Sequence, residues 1–211
     1  RLAAGQLIPQ KGQIWIDRVA ASMGEARLRS TVAVVNHQNA TVRGVHDARP
    51  GPVLCSAVEH HAVLHPVEHV GGQAVPVDAG GVVDLDALAA QLTPDTTLVS
   101  VMVANNEVGT VQPVDAVAEV VRRRAPGAAV HADAVQAAAW LPLADLLVHT
   151  QLVSLSSHKV GGPQGVGALA VRPGTPLRPL TLGGGQEREL RSGTHDVAGI
   201  VGFAAALRTV L

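Results

Sequence analysis

The chain has 211 residues, 47% of them hydrophobic and 16% charged, with a formal net charge of −1. That balance excludes a disordered chain, a basic nucleic-acid-binding surface and a polybasic membrane surface. No apolar run reaches transmembrane length and no basic-then-apolar leader pattern opens the sequence, while the lone Cys55 rules out an internal disulfide framework and suits a reducing, cytoplasmic setting. With one Phe and two Trp, the core is expected to be built from Val, Leu and Ala. Position 1 is Arg, and a helical pattern runs straight into Leu211, so the expectation is a fragment cut at both ends.

Ile16, Val19, Ala20, Met23 and Ala26 recur at helical spacing, which predicts a helix over 14–29. Short β-prone runs follow at 31–35 and 53–57, the second entered through the turn Arg49-Pro50-Gly51-Pro52. A helix is expected from Glu59 to His65, kinked or ended by Pro66. Residues 73–77 read as strand. Asp84 is placed to cap a helix over 85–92. Residues 97–103 form a strong buried strand ahead of Asn105-Asn106-Glu107, and Pro113 suits the first turn of a helix over 114–124. A strand over 128–131 runs into Ala132-Asp133. Strands at 152–156 and 166–171, a Gly183-Gly184-Gly185 turn and a helix over 197–211 complete the chain. Strands alternating with helices, with polar residues just past the strand ends, predict an α/β three-layer sandwich with a mostly parallel sheet.

Three strand ends carry the chemistry. Asn106 follows one, Asp133 and Gln136 a second, and Ser156, His158 and Lys159 a third. Lysine is scarce: Lys11 and Lys159 stand against fourteen arginines. A lysine can form a Schiff base with a carbonyl cofactor, which arginine cannot. A pyridinium cofactor needs that amine, a carboxylate at its ring nitrogen, a donor to its ring oxygen and donors for its phosphate. Asp133 can serve as the carboxylate, Asn106 or Gln136 as the ring-oxygen donor, and Ser156 with His158 as phosphate donors.

Other readings of these residues are weaker. His61, His65 and His69 fall at helical spacing, but Pro66 interrupts them and no HExxH pattern is present, so a solvated helix face is preferred to a metal site. The glycine-rich stretch 161–167 lacks the Gly-Lys-Ser/Thr ending of a nucleotide loop. Arg122-Arg123-Arg124 closes a helix and complements its dipole.

Taken together, five segments closely resemble the cysteine desulfurase pattern in order and spacing. They are Val101-Met102-Val103-Ala104-Asn105-Asn106-Glu107-Val108-Gly109-Thr110-Val111-Gln112-Pro113, then His131-Ala132-Asp133-Ala134-Val135-Gln136. Ser156-Ser157-His158-Lys159 with Gly162-Pro163-Gln164-Gly165-Val166-Gly167 follows, then Gly183-Gly184-Gly185-Gln186-Glu187, and Arg191-Ser192-Gly193-Thr194. The resemblance runs from about Leu54 to Leu211. It implies a pyridoxal 5′-phosphate (PLP) enzyme of the class V aminotransferase fold, with 1–211 as its cofactor-binding large domain and the small C-terminal domain absent. It implies an activity that takes sulfur from L-cysteine to give alanine and a protein persulfide.

The same resemblance implies roles. Lys159 would be the Schiff-base lysine and proton shuttle, and Asp133 the partner of the pyridinium nitrogen. Gln136 and Asn106 would bond the ring oxygen, and Ser156 and His158 the phosphate. His60 would stack on the ring and handle protons. Thr194 would reach the phosphate of the partner subunit, implying a homodimer. A sulfur-acceptor or scaffold protein is a further expected partner; nucleic acid and membrane are not.

The chain departs from the pattern in three places. Residues 30–41 carry no Gly-Ala-Thr phosphate-binding turn. Losing such donors would weaken cofactor binding by a few kcal/mol, at about 1.5–3 kcal/mol for each charge-assisted bond. The family's sulfur-accepting cysteine and its substrate-carboxylate arginine both fall past Leu211. Cys55 precedes the stacking histidine and reads as a small buried apolar residue. Two alternatives therefore stay open: a selenocysteine lyase or other class V lyase or aminotransferase, and a non-catalytic relic that dimerises or docks a partner.

Overall fold

The computed structural model describes residues 9–10, 13–14, 31–34 and 39–210. The helix expected over 14–29 lies outside them, except that Ile14 closes a short ribbon of β1 (Pro9–Gln10) and β2 (Gln13–Ile14). The remaining elements are β3 (Thr31–Val34), α1 (Asn39–Ala48), β4 (Val53–Ser56), α2 (His61–His69), β5 (Gln73–Val75) and α3 (Leu85–Gln91). They continue through β6 (Leu98–Met102), α4 (Val114–Arg124), β7 (Ala129–Asp133), α5 (Ala144–His149), β8 (Leu152–Ser156), β9 (Gly167–Val171) and α6 (Val197–Val210).

Seven strands form one sheet in the order β3-β9-β8-β7-β6-β4-β5. Pairing is parallel from β8 through β5, and β9 runs antiparallel to both its neighbours, β8 and β3. The sheet is therefore mostly parallel, as expected, with one reversed strand. The reversal follows from the short connection between β8 and β9, which is too brief for a crossover helix.

Alternation along the strands sorts the core into two layers. Leu54, Val99, Val101 and Val130 pack against Leu88 of α3 and Val117 and Val121 of α4. On the same face Ala132, Val153, Leu155 and Ala168 meet Ile200, Phe203 and Leu207 of α6. The alternate residues, Val53, Cys55, Leu98, Ala129 and Leu152, face Val42 and Val45 of α1 and Val63 and Val67 of α2. Helices cover both faces, which makes three layers. Each fully buried Val or Leu contributes about 1.5–3 kcal/mol relative to exposure, so a core this poor in aromatics is still adequate.

Local signals explain most boundaries. The Asp84 carboxylate accepts from the Asp86 and Ala87 amides at 2.9 Å and starts α3. Glu119 pairs with Arg122 and Arg123 on the solvent face of α4. Three expectations need correction. Pro66 does not end α2, which continues to His69: with the helix starting at His61, Pro66 costs a single ladder bond, and Val63 and Val67 hold both sides of it in the core. Asp133 belongs to β7 itself, since Met102 pairs with it in register. Helices α1 and α5 had no place in the sequence reading.

Candidate active site

The parallel strands β4, β6, β7 and β8 end on one edge of the sheet, at Ser56, Met102, Asp133 and Ser156. That edge is where an open α/β sheet forms its binding crevice. A cleft of about 520 Å³ opens there. His60, Asn106, Asp133, Gln136, Ser156, His158 and Lys159 all line it. Of the residues singled out from the sequence, Thr194 alone is not among the lining residues.

Each lining group is positioned by its element. Asp133 closes β7 and is 4% exposed; its Oδ1 accepts from the Val135 amide at 3.1 Å. Two residues back on the same face, the fully buried His131 bridges Ser100 of β6 at 2.8 Å and Ser154 of β8 at 2.6 Å. Burial pushes the His131 imidazole down to about 3, so it is a neutral bridge. It fastens three adjacent strands directly behind Asp133.

Lys159 stands on a single 3-10 turn, Ser157–Val160, that follows β8. The turn ends at Gly161 with φ 81°, a conformation that favours glycine. Gly162 follows with no room for a side chain, since a Cβ there would meet Ser157 Oγ at 2.3 Å. Ser156 and His158 share a hydrogen bond of 2.8 Å, so the two expected phosphate donors already act as a pair. Asn106 lies in the loop after β6. Asn105 shapes that loop: its Oδ1 accepts from the Glu107 and Val108 amides at 2.8 and 2.9 Å. Gln112 clamps the far side, accepting from the Val83 amide and donating to the Gly81 carbonyl.

His60 caps α2, its Nδ1 accepting from the Ala62 amide at 3.1 Å. The His61 and His65 rings lie 4.9 Å apart along α2. Among the described residues no group of three or more His, Cys, Asp and Glu is arranged to hold a metal ion. Cys55 is fully buried in β4, and burial, with Glu59 and Glu68 nearby, pushes its thiol up to about 12. It is no nucleophile.

Thr194 is exposed on a separate clasp. The Gly193 amide donates to Gln186 Oε1 at 3.0 Å, and His195 Nε2 meets the buried Glu187 at 2.6 Å. The segment expected to carry a phosphate turn is described only in part. Thr31–Val34 is strand and Asn39 begins α1, while residues 35–38 lie outside the described residues.

Sequence reading missed the apolar walls of the cleft, Ala62, Met102, Ala104, Val135 and Leu155. Val135 could have been found from its place between Asp133 and Gln136; the others carry no signal before the strand ends are brought together. The donor set fits PLP. The cleft volume suits a small heterocycle, and its apolar walls with a few convergent polar groups are what such a ligand needs.

Residues 36–210 match the family model Aminotransferase class-V. The chain belongs to this family. Within it, the chain is 41% identical over 168 residues to cysteine desulfurase IscS 1 of Archaeoglobus fulgidus, covering 77% of this chain and 43% of that protein. It is 40% identical over 199 residues to a cysteine desulfurase of a Nostoc species, covering 90% of this chain and 49% of that protein. Among solved structures, a NifS-like protein aligns with TM-score 0.85 at 38% identity, covering 92% of this chain and 56% of that one. A structure described as SspA in complex with cysteine aligns with TM-score 0.79 at 30% identity, over 91% of this chain and 58% of that one. The chain spans about half the length of the relatives it matches. Among the described residues no helix is long and apolar enough to cross a membrane.

Proposed function

We propose that this chain is the cofactor-binding large domain of a PLP-dependent cysteine desulfurase. The observation that carries the reading is the meeting of Lys159, Asp133, Asn106, Gln136, Ser156, His158 and His60 around one cleft, in a chain whose relatives carry that name. When bound, PLP supplies an aldehyde that captures amines and a ring that draws electrons away from the carbon next to the captured nitrogen.

The residues divide the work. Asp133, buried and backed by the neutral His131 bridge, holds a proton at the ring nitrogen. Asn106 and Gln136 donate to the ring oxygen. Ser156 and His158 hold the phosphate, and His60 closes the cleft at the N-terminus of α2. Lys159, the amine that lines the cleft, would hold the cofactor and would move the proton of the substrate's α-carbon. An acceptor thiolate would attack the cysteine sulfur, forming the S–S bond of a persulfide as the C–S bond breaks; the electron pair left on the β-carbon would take up a proton, and the carbon skeleton would leave as alanine. Cys55, the one cysteine of the sequence, is buried with its thiol held protonated, so the acceptor thiol comes from elsewhere. Thr194, outside its own cleft, serves the phosphate of a second copy in a homodimer. The acceptor or scaffold protein and the cytoplasmic, reducing setting follow from the same persulfide chemistry.

The full-length protein loaded with PLP is the right test material. With L-cysteine and a thiol reductant it will give alanine and sulfide in equal amounts. Cofactor uptake with no alanine from cysteine would retain the fold and reject the desulfurase.

A further inference from the structure

Glu59 is not among the residues lining the cleft, but its chain neighbour His60 and its hydrogen-bond partner Met102 are. It precedes His60 in the loop between β4 and α2 and is 7% exposed. Its Oε1 accepts from Ser56 Oγ at 2.7 Å and from the Met102 backbone amide. Ser56 ends β4 and Met102 ends the neighbouring β6; Met102 lines the cleft and pairs in register with Asp133. Glu59 Oε2 is buried with no hydrogen-bond partner among the described residues. A buried carboxyl with one oxygen unsatisfied is costly, and an apolar residue would fill the space more cheaply. The one gain visible from this arrangement is the tie between the His60 segment and the end of β6. A second tie runs alongside, from Asn105 Nδ2 to the Val58 carbonyl at 3.1 Å.

We propose that Glu59 is a positioning residue for the cofactor site: its carboxyl latches the segment carrying His60 onto the end of β6 and so fixes the width of the cleft between His60 and Asp133. The inference rests on the PLP reading and adds a residue to it. Gln keeps the accepting oxygen and so keeps the latch. Ala leaves the Ser56 hydroxyl and the Met102 amide without their acceptor and frees the loop.

The test is a PLP titration of the cofactor-free full-length protein, with the circular dichroism of the bound cofactor as a second readout. The melting point of the cofactor-free protein serves as the structural control. Glu59→Ala will raise the Kd at least about tenfold and change the dichroism band, while Glu59→Gln will stay within about threefold with the wild-type band. Ser56→Ala, which removes one of the two bonds, will raise the Kd about two- to fivefold. If Glu59→Ala does not fold, the Ser56→Ala result stands in its place. A wild-type Kd and band in Glu59→Ala, or in Ser56→Ala when it is the stand-in, overturns the latch and leaves the PLP reading intact. An equal loss of affinity in Glu59→Gln and Glu59→Ala also overturns it, since shape rather than the accepting oxygen would then matter. Wild-type protein that takes up no PLP sinks the underlying reading and the latch with it.

Discussion

Glu59→Gln will flatten the fall of stability between about pH 6 and about pH 8. Burial, and then the charge of Asp133, pushes the Glu59 carboxyl from 4.5 up to about 8, although the bonds from Ser56 and Met102 favour its ionised form. The folded chain therefore holds a proton that the unfolded chain releases. In the window from 4.5 to about 8 the folded state binds more protons, so stability falls as pH rises and levels off above it. The slope is about 1.4 kcal/mol per pH unit. From about pH 6 to about pH 8 the wild-type chain loses about 2 kcal/mol by this route. Gln has nearly the same shape and no proton to lose. Urea unfolding of both chains at several pH values isolates the effect, because titrating groups that do not interact with Glu59 cancel in the difference. The stability of the Gln variant will gain on wild type by about 2 kcal/mol across the window. A difference that stays constant within about 0.5 kcal/mol would show that Glu59 is ionised in the folded protein.

Other residues give independent checks. His131→Gln keeps a neutral bridge between Ser100 and Ser154 but removes the imidazole that burial holds down at about 3. An ordinary His is protonated below 6.5 when unfolded, so the wild-type chain loses stability on acidification from 6.5 toward about 3 and the variant lacks that component, as acid titration of unfolding will show. Gly162→Ala brings a methyl against Ser157 Oγ, displaces the turn carrying Lys159 and will cost about 1–3 kcal/mol by thermal or urea unfolding. Asp133→Ala will keep cofactor capture on Lys159 but lower turnover of the loaded full-length enzyme by at least about a hundredfold, measured as alanine formed.

The strand ends were legible because hydrophobic runs mark where a buried strand stops, and polar groups just beyond have one edge of the sheet to occupy. Lys159 and Asn106 follow directly from that rule, while Asp133 and Ser156 are the last residues of β7 and β8 themselves. Glu59 was hidden for the opposite reason. In Glu59-His60-His61 it looks like the acidic first turn of a solvated helix, and only the folded loop turns it inward. Helix α1 was missed because Val42 and Val45 are separated by Arg43 and Gly44, too sparse a pattern to set a period. Helix α5 is a single short turn and a half, below what periodicity detects. Pro66 misled because its penalty was counted without the core contacts of Val63 and Val67. Thr194 is of another kind: it is exposed and lies outside the cleft that the other named residues line.

Borohydride reduction of the PLP-loaded full-length protein, followed by peptide mass mapping, tests the central claim most directly. A stable adduct on the peptide containing Lys159, lost in Lys159→Ala, is the predicted result. An adduct on Lys11 or elsewhere, or a Lys159→Ala protein that still retains the cofactor after reduction, would contradict it.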